Sequence, residues 1–168
     1  MPVMTIPTDE QLRHLAGELG DRLRQAKSML ACAESCTGGF VSKVITDIPG
    51  SSEWYDRGFV TYSNQAKQEL LGVPAETIAE HGAVSEPTAR AMAAGAIRHS
   101  QAQITLAITG IAGPGGARLD KPVGMVCFGW ASRDGRLESE TQQISGDRDA
   151  VRRQAVLHAL QGVLKRLG

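Results

Sequence analysis

Serine-bearing turns, one lysine and one tyrosine are the residues of this chain whose types suit nucleophilic chemistry. Gly50-Ser51-Ser52 is a turn of small residues, where a hydroxyl is exposed and sterically free to attack. Lys67 lies at the start of a short helical segment whose other face carries Leu70 and Leu71. An amine held against an apolar wall loses proton affinity, and only the neutral amine can take a proton from serine. Tyr62, on the preceding strand, is suited to donate or relay a proton. The competing reading makes Ser52 part of a helix stop and Lys67 a solvated helix lysine. Residue types alone favour that plainer reading, and the commoner serine–lysine signature, SxxK, is absent.

Two further segments suit anions. Ala33-Glu34-Ser35-Cys36-Thr37-Gly38-Gly39 reads as a strand, a small-residue turn and a helix start. Amides at a helix start favour negative charge, and Gly38 and Gly39 let a ligand approach the backbone, so Ser35, Thr37, Gly38 and Gly39 form a candidate cradle. An ordinary strand-to-helix turn accounts for them equally well. A helix start also lowers a thiol pKa, which makes Cys36 a conceivable nucleophile, although no histidine is fixed beside it by sequence. Ser145-Gly146-Asp147-Arg148-Asp149 opens the last helix, which continues into Arg152 and Arg153. An arginine at a helix start suits a phosphate or carboxylate, the alternative being Asp147 as N-cap with Arg148 in surface ion pairs.

Other chemistry is disfavoured. Gly110 to Gly116 follows a strand but matches neither GxxxxGK[ST] nor GxGxxG, and it runs on through Lys121-Pro122 into another strand rather than a helix. It is therefore expected to be a flexible or site-lining loop. His14, His81, His99 and His158 are scattered, and Cys32, Cys36 and Cys127 lack zinc spacing, so no metal is expected, and serine–lysine acyl transfer needs no organic cofactor.

The elements that must position these residues follow from periodicity. Thr8-Asp9-Glu10-Gln11 fits a capping box, and Leu12, Leu15, Ala16, Leu19 and Leu23 follow at helical spacing. Residues 29–33, 59–63, 104–108, 123–132 and 137–144 read as strands, the last two flanking an Asp134-Gly135 hairpin turn. Helices are expected over 40–48, 64–71 (capped by Asn64), 74–80, 86–100 and 147–167. Helices on both sides of crossover strands, with one hairpin, predict a three-layer α/β/α sandwich around a central mixed sheet. Residues 1–7 are expected to be a frayed lead-in and 8–168 a single domain.

Composition bounds the function. The 168 residues carry 18 basic and 18 acidic side chains and only 4% aromatics, which argues against a nucleic-acid surface or a base-stacking platform. Apolar runs are far short of the roughly 20 residues that cross a bilayer. No export signal is evident, and three cysteines cannot all pair, so a cytoplasmic protein with reduced thiols is expected.

Five segments occur in the same order in the C-terminal domain of CinA proteins: Ala33–Gly39, Gly58–Asn64, Gly82–Glu86, Thr109–Pro114 and Ser145–Arg148. From about residue 10 to its end the chain resembles that family, and in particular its standalone members, which are nicotinamide-nucleotide amidohydrolases. The resemblance implies cleavage of the carboxamide of nicotinamide mononucleotide, giving nicotinate mononucleotide and ammonia, in pyridine-nucleotide salvage. It implies a serine–lysine pair supported by tyrosine, threonine and arginine. Motif by motif these fall on Ser52 (with Ser51 or Ser35 as alternatives), Lys67, Tyr62, Thr109 and Arg148. Thr109 would orient the pair or bind substrate, Arg148 would grip the phosphate, and Ser35, Thr37, Gly38, Gly39 and Gly110 would line the substrate. The other implied reading is a non-catalytic nucleotide-sensing or partner-binding domain linked to competence or damage response. A homodimer is expected, with neither nucleic acid nor membrane as partner.

Overall fold

The structure, a computed structural model, describes residues 5–167. The capping box is formed: the Gln11 amide donates to the Thr8 hydroxyl at 3.1 Å and the Thr8 amide to the Gln11 side chain at 2.9 Å. It starts helix α1 (Asp9–Gln25), which buries its leucine stripe. Then follow β1 (Leu30–Glu34), α2 (Phe40–Thr46), a 3-10 turn (Ser51–Glu53), β2 (Tyr55–Val60), α3 (Asn64–Leu71), α4 (Ala75–His81) and α5 (Glu86–Arg98). Strands β3 (Ile104–Gly110), β4 (Met125–Ser132) and β5 (Leu137–Gln143) precede α6 (Arg148–Arg166). Residues 1–4 of the expected frayed lead-in lie outside the described residues. Pro7 is buried, and its carbonyl accepts a hydrogen bond from Arg153, so the lead-in is tied down by that point.

The five strands form one mixed sheet in the order β2-β1-β3-β4-β5. β1 runs parallel to both β2 and β3, while β3–β4 and β4–β5 are antiparallel. One face carries α1, α2 and α6; the other carries α5, with α3 and α4 packed on it. This is the expected three-layer sandwich. The first face holds the larger core, in which the α1 leucines meet Val44, Ile45, Leu106, Phe128, Trp130 and Leu160. The second core is built largely from small residues, Ala33, Ala93, Ala96, Ala107 and Ala131, around Leu71 and Met92. Small side chains bring α5 close to its neighbours: a Cβ on Gly95 would lie 2.0 Å from the Leu71 carbonyl oxygen.

Two elements differ from the sequence reading. β2 occupies 55–60 rather than 59–63. Its Asp56, Arg57 and Gly58 lower strand propensity, but an edge strand tolerates polar residues and Gly58 leaves room for the Ser42–Tyr55 hydroxyl contact. The strand ends at Val60 because Ser63, not Asn64, caps α3, its hydroxyl accepting from the Ala66 amide at 3.0 Å.

Candidate active site

The carboxyl ends of the three parallel strands meet at one edge of the sheet, where Glu34 of β1 pairs with Val60 of β2 and with Ile108 of β3. The chain leaves β1 toward β2 through α2 on one face and returns from β2 to β3 through α3–α5 on the other. A crevice opens where such a sheet changes direction, and ligands of α/β folds bind there.

Ser35 is the first residue beyond β1. The Lys67 Nζ lies 3.2 Å from Ser35 Oγ, 3.0 Å from the Thr61 carbonyl oxygen and 3.3 Å from that of Tyr62. Lys67 is 1% exposed, and no carboxylate among the described residues pairs with it. Burial lowers its pKa from 10.5, opposed in part by the nearby Cys36 sulfur. In the neutral amine, two N–H groups serve the two carbonyls and the lone pair is left to accept the Ser35 hydroxyl proton. The arrangement is that of a hydroxyl nucleophile beside its general base.

Ser52 is not part of it. It sits in the turn before β2, and β2 begins opposite Leu30, whose amide donates to the Trp54 carbonyl. Five residues of β1 therefore separate Ser52 and its neighbour Ser51 from the Ser35 end, roughly 16 Å at 3.3 Å per residue. Around Ser52 the structure holds a surface contact instead, Arg24 bonding to Glu53 and to the Gly50 carbonyl. Motif matching along the chain favours Ser52 over Ser35; the strand between them brings Ser35, not Ser52, to Lys67.

The first amides of α2 are already occupied. The Glu34 carboxylate, fully buried, accepts from the Val41 amide at 3.0 Å and from the Ser42 amide at 3.3 Å, filling the start of α2. Gly38 and Gly39, at φ 58° and 100°, serve the tight turn that delivers α2 over this carboxylate. The Cys36 thiol is buried, and loss of solvation raises its pKa to about 12, so it keeps its proton. Nucleophilic Cys36 is thereby disfavoured. Cys32, Cys36 and Cys127 are all unpaired and buried.

The remaining predicted residues surround the pair without touching it through their side chains. Tyr62 is 65% exposed, and its hydroxyl accepts from the Arg148 guanidinium at 3.5 Å; only its carbonyl meets Lys67 and Ser35. Arg148 also donates to the Gly113 carbonyl at 2.8 Å, so it bridges the post-β2 segment and the glycine-rich loop across the mouth. Thr109 is buried and donates to the Ala83 carbonyl at 2.8 Å, fastening the 82–85 segment beside the crevice. Gly110 packs against β4, where a Cβ would lie 2.8 Å from Val126. Beyond Thr109 lies a cavity of about 490 Å3, lined among others by Asn64, His81, Ala83, Ile111, Arg118 and Lys121. Arg118 and Lys121 carried no signal in the sequence, because the glycine-rich loop gives no hint of where it folds. Among the described residues no cluster of three or more His, Cys, Asp or Glu side chains is placed to hold a metal.

Fold and site together define an α/β domain with a buried serine–lysine pair at the carboxyl ends of its parallel strands. The chain belongs to the CinA C-terminal domain family, whose model matches residues 12–167. It is 52% identical over 154 residues to the nicotinamide-nucleotide amidohydrolase PncC of Escherichia coli K12, covering 92% of this chain and 93% of that one. The protein of the same name from Enterobacter agglomerans is 50% identical over 158 residues, covering 94% and 96%. Among solved structures, the competence/damage inducible protein CihA of Agrobacterium tumefaciens superposes with a TM-score of 0.91 at 40% identity, covering 97% of this chain and 98% of that one.

Proposed function

We propose that this chain hydrolyses the carboxamide of nicotinamide mononucleotide to nicotinate mononucleotide and ammonia, in pyridine-nucleotide salvage, with Ser35 as nucleophile and Lys67 as base. The observation that carries the mechanism is the 3.2 Å contact between Ser35 Oγ and a buried lysine nitrogen that no carboxylate neutralises among the described residues. The substrate class is supported by the names of relatives that match nearly end to end.

Neutral Lys67 takes the Ser35 proton as Oγ bonds to the amide carbon. The resulting ammonium returns that proton to the departing nitrogen, which leaves as ammonia. Water then attacks the acyl-serine, Lys67 accepting its proton and passing it to Ser35 as the acid departs. The scheme uses no cofactor. In this reading the nucleotide extends from the cavity beyond Thr109 toward Arg148, which lines a neighbouring cavity with Ala112 and Pro114 and donates to the Tyr62 hydroxyl. Arg148 is the phosphate contact of this reading. A cytoplasmic homodimer that leaves nucleic acid alone completes the proposal. Among the described residues no helix is long and apolar enough to cross a membrane.

The test is ammonia release from the mononucleotide, with the dinucleotide and free nicotinamide as controls. Ser35→Ala is expected to lower turnover by at least about 1,000-fold, whereas Ser52→Ala stays within about twofold of the unaltered protein. The opposite ranking would move the nucleophile back to Ser52. A folded protein that binds the mononucleotide and releases no ammonia would leave the nucleotide-sensing reading.

A further inference from the structure

Arg152, one turn beyond Arg148 on α6, reaches the turn that carries Ser35. Its Nε donates to the Cys36 carbonyl at 3.1 Å and its terminal nitrogen to the Thr37 carbonyl at 3.0 Å. Gly38, at φ 58°, makes the turn beside this contact, and a Cβ there would meet the guanidinium only at ordinary contact distance, 3.4 Å. In a trans peptide the N–H points opposite to the C=O of the same unit. Pulling the Cys36 carbonyl toward α6 therefore turns the Thr37 amide away from α6. The side away from α6 is the side of α3, where Lys67 holds the Ser35 hydroxyl.

Among the described residues the Cys36 and Thr37 amides donate to no acceptor in the chain, although Ser35, Gly38 and Phe40 around them all do. They are turn amides, distinct from the first amides of α2 that Glu34 occupies. Thr37 Oγ1 is also buried without a partner among the described residues. The turn thus keeps spare donors next to a nucleophile, where a tetrahedral intermediate develops negative charge.

We propose that Arg152 is a positioning residue: by holding the Cys36 carbonyl, and the Thr37 carbonyl beside it, Arg152 aims the Thr37 amide at the oxyanion formed when Ser35 is acylated. The inference rests on Ser35 as nucleophile from the proposed function, but not on the identity of the substrate. A fluorophosphonate probe separates the two. In that reaction Ser35 Oγ bonds to phosphorus, fluoride leaves and the serine proton passes to Lys67. The phosphoryl oxygen takes the oxyanion's place.

Labelling of Ser35, followed by mass spectrometry, is expected to slow about 100-fold in Arg152→Ala. Its pH dependence should be unchanged, because Lys67 is untouched. Arg152→Lys, which keeps the charge but cannot span two carbonyls, is expected to fall between the two and serves if the alanine variant does not fold. Labelling of Arg152→Ala or Arg152→Lys at the unaltered rate would overturn the proposal. A shifted pH profile, or no labelling of the unaltered protein, would do the same. A protein that labels as expected yet releases no ammonia refutes the nicotinamide substrate alone.

Discussion

The base of the proposed mechanism is a lysine nitrogen with three oxygen neighbours and no carboxylate partner among the described residues. Burial places the Lys67 pKa below 10.5 in the folded chain, while in the unfolded chain it returns to the ordinary value. The base must be neutral, so kcat/KM is expected to rise with pH through that lowered pKa and then level off. A pH–rate profile checks this, and a rate that falls over the same limb would show that the ammonium is the active form. The same shift acts on folding. Below the folded pKa both states are protonated and the native state carries the full cost of a buried ammonium. Between the folded pKa and 10.5 the unfolded chain binds more protons, so stability rises with pH across that window. Measured against Lys67→Met by denaturant unfolding, the unaltered protein should gain relative stability as pH rises toward 10.5. The residue scale also marks where sequence reading stopped. Lys67 came from the family resemblance: its place at a helix start beside Leu71 allowed a shifted amine, but residue types alone favoured a solvated lysine. The serine was not legible, because Ser52 and Ser35 both sit in small-residue turns and only the intervening strand tells them apart. Glu34 was invisible for a related reason: an acid at a strand end reads as solvated until the next helix is seen to close over it.

Short elements hold the site only through what caps and spaces them. Helix α2 has seven residues, too few to persist alone, and the Glu34 carboxylate satisfies two of its first amides. Glu34→Ala would leave the Val41 and Ser42 amides buried without acceptors and is expected to cost about 3 kcal/mol of unfolding free energy. Because Glu34 adjoins Ser35, ammonia release should fall with it, beyond what the loss of folded protein explains. The spacing of α3 is set from the other side. Gly95 of α5 touches the Leu71 carbonyl, and Leu71 lies one turn after Lys67. A methyl group there has to displace α3, so Gly95→Ala is expected to destabilise by about 2 kcal/mol. It should also weaken the Lys67–Ser35 contact and with it the rate. Gly115→Ala, which meets nothing within 4 Å, is the stability control. Helices with caps and stripes, α1 and α6 above all, were readable from the sequence because their own residues determine them. β2 was misplaced because an edge strand with a polar outer rim obeys its neighbour β1 more than its own propensities.

Across the whole molecule, burial separates the parallel core strand from the helix that walls the cavity. β1 is central to the parallel part of the sheet, and all five of its residues are buried. Its amides are expected to exchange with solvent only by global unfolding. Helix α4 is the opposite case: none of its seven residues is buried, and it is held by its packing on α5 and by Lys121 donating to the His81 carbonyl at its end. It leads into the 82–85 segment, which Thr109 fastens and which walls the cavity together with Arg118 and Lys121. Local opening of α4 is expected to widen the cavity while β1 and Ser35 stay fixed, which would let the proposed nucleotide enter without disturbing the serine–lysine pair. Hydrogen exchange followed by mass spectrometry checks it. Peptides covering 75–85 should exchange orders of magnitude faster than those covering 30–34, and adding nicotinate mononucleotide should slow the first group selectively. Protection appearing instead around the Arg24–Glu53 contact would place the ligand at the other end of the strands. Equal protection of α4 and β1 without ligand would mean that the molecule opens only as one unit, and the cavity wall would then be as rigid as the sheet behind it.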